Sequence, residues 1–225
     1  MMTYNRTLTR VEDYFDRTAT QTWARLTSDA PVSRIRATVR AGRDEMRAML
    51  LGSLPSDLTG ARVLDAGCGA GQMTAELAAR GADVVAVDIS PSLIDIAKTR
   101  LPDHLRPRVS FASGDMLDPA HGQFDHVVAM DSLIYYTDTT IAEELGRLVP
   151  RVMQSIAFTV APRTTLLMAM WRAGKLFPRS DRAPVMVPHC PEKLASMLSA
   201  LPAEVRDLGR VHSGFYISHA LEVRP

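Results

Sequence analysis

The sequence predicts an α/β fold centred on a mainly parallel, doubly wound β-sheet. Three observations predict it: short apolar segments alternate with helix-like segments, a glycine-rich turn follows the first apolar segment, and acidic residues follow the next ones. This alternation is typical of parallel sheets, because each crossover between parallel strands needs a long connection, usually a helix. Such sheets bind ligands at the carboxyl ends of their strands, where the glycines and acids are expected.

The bulk composition fits one globular domain. The 225 residues, 46% of them hydrophobic, are enough to bury one substantial core. The formal net charge of +1 does not indicate a nucleic-acid partner. Cys68 and Cys190 lack the spacing of a metal or disulfide framework, so both are expected to be free thiols in a reducing cytoplasm. A cytoplasmic location is also expected because no apolar run has the length of a signal peptide or membrane span.

Two amphipathic helices are predicted before the sheet. The first covers residues 9–27, with Thr9 and Glu12 spaced as a capping box. The second follows Pro31 and has an apolar side and a stripe of arginines. The apolar side consists of Ile35, Val39, Met46 and Met49, and the stripe consists of Arg36, Arg40, Arg43 and Arg47. The stripe is interpreted either as a solvated face or as a surface for an anion or a partner.

Seven strands are predicted for the sheet. The five that alternate with helices are expected at residues 61–66, 83–88, 108–113, 124–130 and 154–160. The accompanying helices are expected at residues 71–80, 91–100, 139–149 and 191–200. Two closing strands, near 203–211 and 214–223, predict an antiparallel hairpin with Gly214 near its turn.

The turn after the first strand predicts the site of a nucleoside-bearing cofactor. Asp65 is followed by three alternating glycines, Gly67, Gly69 and Gly71, which lead directly into a helix. Glycine lets the backbone approach a ligand closely, and the helix start offers unpaired N–H groups. A dinucleotide fold would need its third glycine where Gln72 stands. The stretch instead resembles D-x-G-x-G-x-G, the first motif of class I S-adenosylmethionine (SAM)-dependent methyltransferases.

That resemblance implies a Rossmann-like class I fold with SAM as methyl donor and SAH as product, and the later acids support it. A carboxylate at Asp88 can accept hydrogen bonds from both ribose hydroxyls. In such methyltransferases an acid at Asp115 pairs with the adenine amino group, and the next residue contacts the ring. Singly, each acid also fits a helix cap or a solvated loop. The expected cofactor-binding residues are Asp65, Gly67, Gly69, Asp88, Ile89, Asp115, Met116 and Asp131.

Residues 162–190 depart from the alternating rhythm and predict an insertion that covers the substrate. They combine apolar side chains suited to a flat ring with arginines suited to carboxylates. The alternative is that the apolar residues pack on the sheet and the cations face water. One domain over residues 1–225 is expected. Its parts are a helical arm at 1–54, a SAM-binding core at 55–161, the substrate insertion at 162–190 and a closing helix and hairpin at 191–225.

Several stretches make the whole chain similar to the magnesium-protoporphyrin IX O-methyltransferase family of bacteriochlorophyll and chlorophyll biosynthesis. They are residues 13–15 with Trp23, 63–71, 87–90, 131–136, 158–164, 176–184 and His189. The resemblance implies methyl transfer from SAM to one propionate carboxylate of magnesium protoporphyrin IX, which gives the monomethyl ester. Magnesium would then be part of the substrate alone, and the porphyrin-binding subunit of magnesium chelatase would be a partner.

The same resemblance suggests residues for the substrate and for catalysis. The expected substrate-binding residues are Arg163, Met168, Trp171, Arg179, Arg182 and His189. His189 is interpreted in two ways. It either contacts the substrate, as a ligand of its magnesium or by a hydrogen bond to a propionate, or it is a structural histidine. Many family members have histidine where Tyr135 stands and tyrosine near Thr27, which makes Tyr135 the candidate catalytic residue.

Two other functions fit the sequence. One is a SAM-dependent O-methyltransferase of another apolar acid or phenol, such as a quinone precursor. The other is a non-catalytic carrier of SAM or porphyrin, whose basic helix contacts a partner or an anionic membrane. This second alternative includes peripheral contact with the photosynthetic membrane.

Overall fold

The computed structural model describes residues 4–14, 33–164 and 186–225. Within these ranges the helices are α1 Tyr4–Tyr14, α2 Arg34–Gly52, α3 Gln72–Ala79, α4 Pro91–Arg100, α5 Asp138–Leu148 and α6 Pro191–Leu198. The strands are β1 Arg62–Ala66, β2 Asp83–Asp88, β3 Val109–Ser113, β4 Phe124–Ala129, β5 Val152–Val160, β6 Glu204–Ser213 and β7 Tyr216–Arg224. Short 3₁₀ turns lie at Asp103–Arg108, Pro119–His121, Leu133–Tyr135 and Val149–Arg151.

The seven strands form one sheet in the order β3-β2-β1-β4-β5-β7-β6. Strands β1 to β5 pair in parallel, whereas β7 pairs antiparallel with both β5 and β6. The predicted fold, a mainly parallel sheet with an antiparallel C-terminal hairpin, is confirmed. Gly214 lies in the connection between β6 and β7, as predicted.

The central strands are buried on both faces. Leu64 packs into the core on one side of the sheet, and its neighbour Val63 packs into the core on the other side. Successive side chains of a strand point to opposite faces, so a strand covered on both sides is apolar throughout. This explains why β1 and β4 appear in the sequence as nearly continuous apolar runs.

The N-terminal helix begins earlier than predicted. Helix α1 begins at Tyr4, so Thr9 lies inside the helix and the predicted capping box is wrong. Tertiary contacts explain the difference, because Tyr4 stacks on Tyr136 with ring centroids 5.0 Å apart and donates a hydrogen bond to Asp115. The remainder of the first predicted helix, residues 15–27, lies outside the described residues.

Helix α2 agrees with its prediction except at its first turn. Met46 is fully buried, but Ile35, predicted on the same apolar side, is 55% exposed. The helix contacts the β6–β7 hairpin at Thr38, whose backbone carbonyl accepts a hydrogen bond from Ser213 at 3.0 Å, and again at Gly42. Ile35 lies almost one turn before Thr38 and stays largely exposed.

Close packing of α2 on the C-terminal hairpin depends on Gly42. A Cβ atom at Gly42 would lie 2.6 Å from Cδ1 of Tyr216 and 2.9 Å from Cβ of Ser213. The missing side chain lets the Tyr216 ring pass directly beneath the helix. Residues of α2 and β7 consequently reach the carboxyl edge of the sheet together.

Both described ends of the predicted insertion meet at the carboxyl end of β5. His189 donates its backbone N–H to Ala161 and accepts from the N–H of Arg163, both at 2.7 Å. Val187 donates to the carbonyl of Ile134 at 2.8 Å. The C-terminal end of the insertion is thus fixed against the loop that follows β4. No helix in the described ranges is long and apolar enough to cross a bilayer.

We expect Gly42→Ala to destabilise the protein by about 1–3 kcal/mol, because the added methyl group must displace a buried ring or backbone. Urea unfolding measures the free-energy change. Gly52→Ala is the matched control, since Gly52 ends the same helix and a Cβ there meets no atom within 4 Å. Equal effects of the two substitutions would contradict the packing argument.

Candidate active site

A cavity of about 910 Å³, including space open to solvent, lies at the carboxyl ends of the parallel strands. The residues predicted from sequence that line it are Asp65, Gly67, Gly69, Asp88, Ile89, Met116, Asp131 and Tyr135. Several other lining residues were not among the predicted site residues, namely Leu8, Val11, Ser132 and Tyr136, and two more, Arg43 and Arg47, come from the predicted arginine stripe. Helices α1 and α2 therefore contribute walls to a cavity whose floor is the sheet edge.

Two glycines of the turn after β1 serve different purposes. Both have left-handed backbones, with φ of 82° at Gly67 and 54° at Gly69. A Cβ at Gly67 would lie 2.4 Å from Cβ of Ser132, so this glycine permits close contact with the loop after β4. A Cβ at Gly69 would meet no atom within 4 Å. Gly69 therefore exposes its backbone to the cavity, as a cofactor that lies against the turn requires.

Asp88 joins the glycine turn to the end of β2. Its two carboxylate oxygens accept backbone hydrogen bonds from Gly69 at 2.8 Å and from Ser90 at 2.9 Å. Burial raises the pKa of Asp88, while these two N–H groups act in the opposite direction. Each oxygen can accept a second hydrogen bond, so the carboxylate can hold the turn and receive ligand hydroxyls together.

Asp65 is almost completely buried in the wall of the same cavity. The hydroxyl of Thr74 donates to its carboxylate at 2.6 Å. Burial raises the pKa of Asp65 to about 7, and the nearby charge of Asp88 adds to this effect. The side chain can therefore change charge near neutral pH, or remain ionised if a ligand brings a positive group beside it.

Asp115 lies beside the cavity, and its neighbours Gly114 and Met116 line it, but Asp115 is not itself among the lining residues. One of its oxygens accepts from the Tyr4 hydroxyl at 2.5 Å and from the backbone of Leu117 at 2.9 Å. The expected contact with an adenine amino group stays a prediction. Tyr4, from α1, was not foreseen as its partner.

Asp131 is held by four side-chain donors from three elements of the fold, α2, β5 and β7. Arg43 of α2 forms an ion pair with it, and the Tyr216 hydroxyl of β7 lies 3.0 and 3.2 Å from its two oxygens. Thr159 of β5 donates at 3.2 Å, and the Ser218 hydroxyl of β7 lies at 3.5 Å. The guanidinium compensates the buried negative charge, and the hydroxyls occupy most of its acceptor capacity.

His189 does not contact the cavity, although sequence analysis assigned it to the substrate. Its imidazole has no exposed surface, and Nδ1 lies 2.5 Å from Oδ1 of Asp138. Nε2 has no hydrogen-bond partner among the described residues. Burial lowers the pKa of His189 despite the carboxylate of Asp138. The described geometry therefore supports the structural interpretation of this histidine, because its position beneath the end of β5 keeps the ring away from ligands.

The other predicted substrate residues are only partly described. Arg163 is exposed, and its Nε donates to the carbonyl of Pro188 at 3.2 Å. Met168, Trp171, Arg179 and Arg182 lie outside the described residues. The expected role of this set stays a prediction.

Among the described residues that line the cavity, none is an activated nucleophile. Cys68 lines it, but burial raises the pKa of the thiol well above its usual range, so the thiolate is disfavoured. Tyr135 lines the cavity as a half-buried side chain. Within the described ranges no group of three or more histidine, cysteine or acidic side chains could hold a metal ion. The site is suited to binding and orienting two molecules side by side.

Comparison with known proteins identifies the family. The model for the C-terminus of magnesium-protoporphyrin IX methyltransferase matches residues 129–225, and a methyltransferase-domain model matches residues 63–154. A magnesium-protoporphyrin O-methyltransferase of Rhodobacter capsulatus is 62% identical over 96% of this chain and 96% of its own length. The chain belongs to the magnesium-protoporphyrin O-methyltransferase family.

More distant relatives agree with this assignment. The chloroplastic magnesium protoporphyrin IX methyltransferase of Arabidopsis thaliana is 28% identical over 96% of this chain and 70% of that protein. A crystal structure of the Synechocystis magnesium protoporphyrin IX methyltransferase with bound SAH has a TM-score of 0.80 and 27% identity, and covers 96% of this chain and 98% of that one. The prediction of a class I methyltransferase that uses SAM is confirmed. The open backbone at Gly69 beside Asp88 fits that cofactor.

The raised pKa of Asp65 gives a pH dependence of stability. An unfolded aspartate has a pKa near 3.9, so from about pH 4 to 7 only the folded chain keeps this proton. The free energy of unfolding therefore falls as pH rises, by at most about 1.4 kcal/mol per pH unit. We expect Asp65→Asn to remove that contribution in urea unfolding at several pH values. Asp95→Asn, on the exposed side of α4, should retain the wild-type slope; a wild-type slope in Asp65→Asn would refute the assignment.

Proposed function

We propose that the protein transfers the methyl group of SAM to a propionate carboxylate of magnesium protoporphyrin IX and so forms the monomethyl ester. The observation that carries the proposal is the cavity at the strand ends, where the open backbone of Gly69 lies beside Asp88 in a chain of this family. Bound SAM supplies a methyl group activated by a sulfonium. The rest of the proposal concerns what the residues of the chain do.

The cofactor-binding residues follow from the cavity lining. The backbones of Gly67 and Gly69 would lie against the cofactor, and Asp88 would accept from the ribose hydroxyls. Ile89 and Met116 supply apolar surface in the same wall. The three other members of the proposed set, Asp65, Asp115 and Asp131, would act as polar groups around this centre.

The acceptor needs no general base. A propionate has a pKa near that of glutamate, about 4.3, and is therefore ionised at neutral pH. The task of the protein is to hold the carboxylate close to and in line with the methyl group, which can supply roughly 7–11 kcal/mol. Tyr135, which lines the cavity, is proposed as the catalytic residue. Its phenol can orient the carboxylate by donating a hydrogen bond without taking a proton.

Residues at the cavity mouth would keep water out during the reaction. Leu8 and Val11 of α1 line the cavity from above, and Val11 is buried against Leu93. A carboxylate transferred from water to this apolar surface is more reactive toward an electrophile, since it loses stabilising hydration. The porphyrin itself would be held by Arg163, Met168, Trp171, Arg179 and Arg182, as the family resemblance implies.

Two partners belong to the proposal. The porphyrin-binding subunit of magnesium chelatase would deliver the substrate, which copurification of the two proteins tests. The first turn of α2 supports peripheral membrane contact, because Arg34, Ile35 and Arg36 are exposed there and Phe215 is 50% exposed in the adjoining hairpin turn. Cosedimentation with anionic vesicles tests this contact.

The activity is tested by incubating the protein with labelled SAM and magnesium protoporphyrin IX, followed by detection of the monomethyl ester. At saturating SAM, turnover should change little between about pH 6 and 9, because the acceptor is already ionised. Burial lowers the pKa of His189, which favours the neutral ring over the same interval. A steep rise in turnover would favour a phenolic acceptor such as a quinone precursor, and tight binding without product would favour a carrier.

Cofactor and substrate binding should separate by mutation. Asp88→Ala should weaken SAM binding about tenfold or more, because it removes both the ribose acceptor and the anchor of Gly69. Arg179→Ala should instead weaken porphyrin binding. Calorimetry with each ligand measures both effects. Asp83→Ala is the control, since Asp83 begins the same strand and its side chain is 66% exposed. Loss of the same ligand in both test variants would contradict the proposed division of roles.

A further inference from the structure

Asp131 has an unusual backbone at the point where β4 enters the cavity wall. Its φ of 57° makes it the one non-glycine residue in the described ranges with a left-handed conformation. Aspartate tolerates this conformation better than most residues, but the surrounding structure must still favour it. The backbone N–H of Asp131 donates to Thr159 at 2.8 Å, and its carboxylate receives the cluster of donors described above.

Tyr216 is the donor that contacts both oxygens of this carboxylate. It comes from β7, 85 residues further along the chain, and reaches Asp131 beneath α2 through the space that Gly42 leaves. Burial raises the pKa of Tyr216, and the charge of Asp131 adds to this. The phenol is therefore protonated and donates over the whole physiological pH range. Its ring is enclosed by α2 and the hairpin, which fixes the position of the hydroxyl.

The position of Asp131 determines the position of the glycine turn. Ser132, the next residue, donates its hydroxyl to the carbonyl of Ala66 at 2.8 Å. It also fills the space where Gly67 has no Cβ. Asp131, Ser132 and Gly67 all line the cavity. A shift of the Asp131 carboxylate would therefore move the cavity wall and the turn against which the cofactor lies.

We propose that Tyr216 is a positioning residue of the SAM site, which acts through the carboxylate of Asp131. Arg43 compensates the charge of that carboxylate, whereas Tyr216 fixes its orientation by bridging both oxygens. Without the phenol the carboxylate can rotate toward the cavity, and the wall loses the geometry that the cofactor needs. This inference deepens the proposed function. It rests on that function only for the identity of the cavity ligand, SAM.

Tyr216→Phe is the direct test, because it removes the hydroxyl and keeps the ring that packs beneath α2. We expect the Kd for SAM and for SAH, measured by calorimetry, to rise about tenfold. The KM for SAM should rise in parallel, while kcat at saturating SAM changes less than twofold. The control is Ser213→Ala, which removes a hydroxyl from the same contact between helix and hairpin without touching Asp131. The control should bind SAM like the wild type.

A double-mutant cycle shows whether Tyr216 acts through Asp131. In an Asp131→Ala background, Tyr216→Phe should cause no further loss of SAM affinity, since the group it positions is gone. Additive losses, unchanged SAM affinity in Tyr216→Phe, or an equal loss in Ser213→Ala would each overturn the proposal. So would a lowered melting temperature of Tyr216→Phe with normal SAM affinity, because that result indicates a purely structural role.

The two proposals can fail separately. If the wild type binds SAM but does not methylate magnesium protoporphyrin IX, the proposed function is wrong and the calorimetric test of Tyr216 still decides this inference. If the wild type forms the ester and Tyr216→Phe binds SAM normally, only the role of Tyr216 is wrong.

Discussion

The structure depends on burying carboxylates at one edge of the sheet and satisfying each of them with fixed donors. Asp65, Asp88 and Asp131 follow or end neighbouring parallel strands, where side chains converge on one cavity. An unpaired buried carboxylate is strongly destabilising, so each requires its own solution. Asp65 accepts a hydrogen bond from a hydroxyl and has a raised pKa, whereas Asp88 accepts from two backbone N–H groups. Asp131 pairs with a guanidinium and accepts from several hydroxyls.

These solutions join parts of the chain that are far apart in sequence. The N–H groups that satisfy Asp88 come from the glycine turn after β1 and from the cap residue before α4, so one β-α-β unit is enough for that residue. Asp131 instead needs α2 from before the sheet and β7 from after it. The family assignment agrees with this geometry, because an O-methyltransferase of a carboxylate must place a charged cofactor and an anionic acceptor in one enclosed space.

The strands, the glycine turn and part of the cavity lining could be predicted because their signals are local. Apolar runs identify β1 and β4, and the spacing of Gly67 and Gly69 identifies the cofactor turn. The partners of Asp131 could not be predicted, since nothing near Arg43 or Tyr216 indicates a contact 85 or more residues away. The start of α1 was missed for the same reason, as tertiary contacts of Tyr4 extend the helix beyond its local pattern. His189 resembled a ligand residue in sequence but is buried beside Asp138.

The placement of Tyr216 on the antiparallel hairpin has a consequence for how this fold can be divided. A fragment restricted to the five parallel strands and their helices would retain the entire glycine-rich segment, yet its Asp131 would lack both Arg43 and Tyr216. That fragment is consequently not an independent cofactor-binding module in this protein. Grafting it onto another scaffold would require carrying the two flanking elements along, which ties the evolution of the cofactor pocket to that of the chain segments outside it.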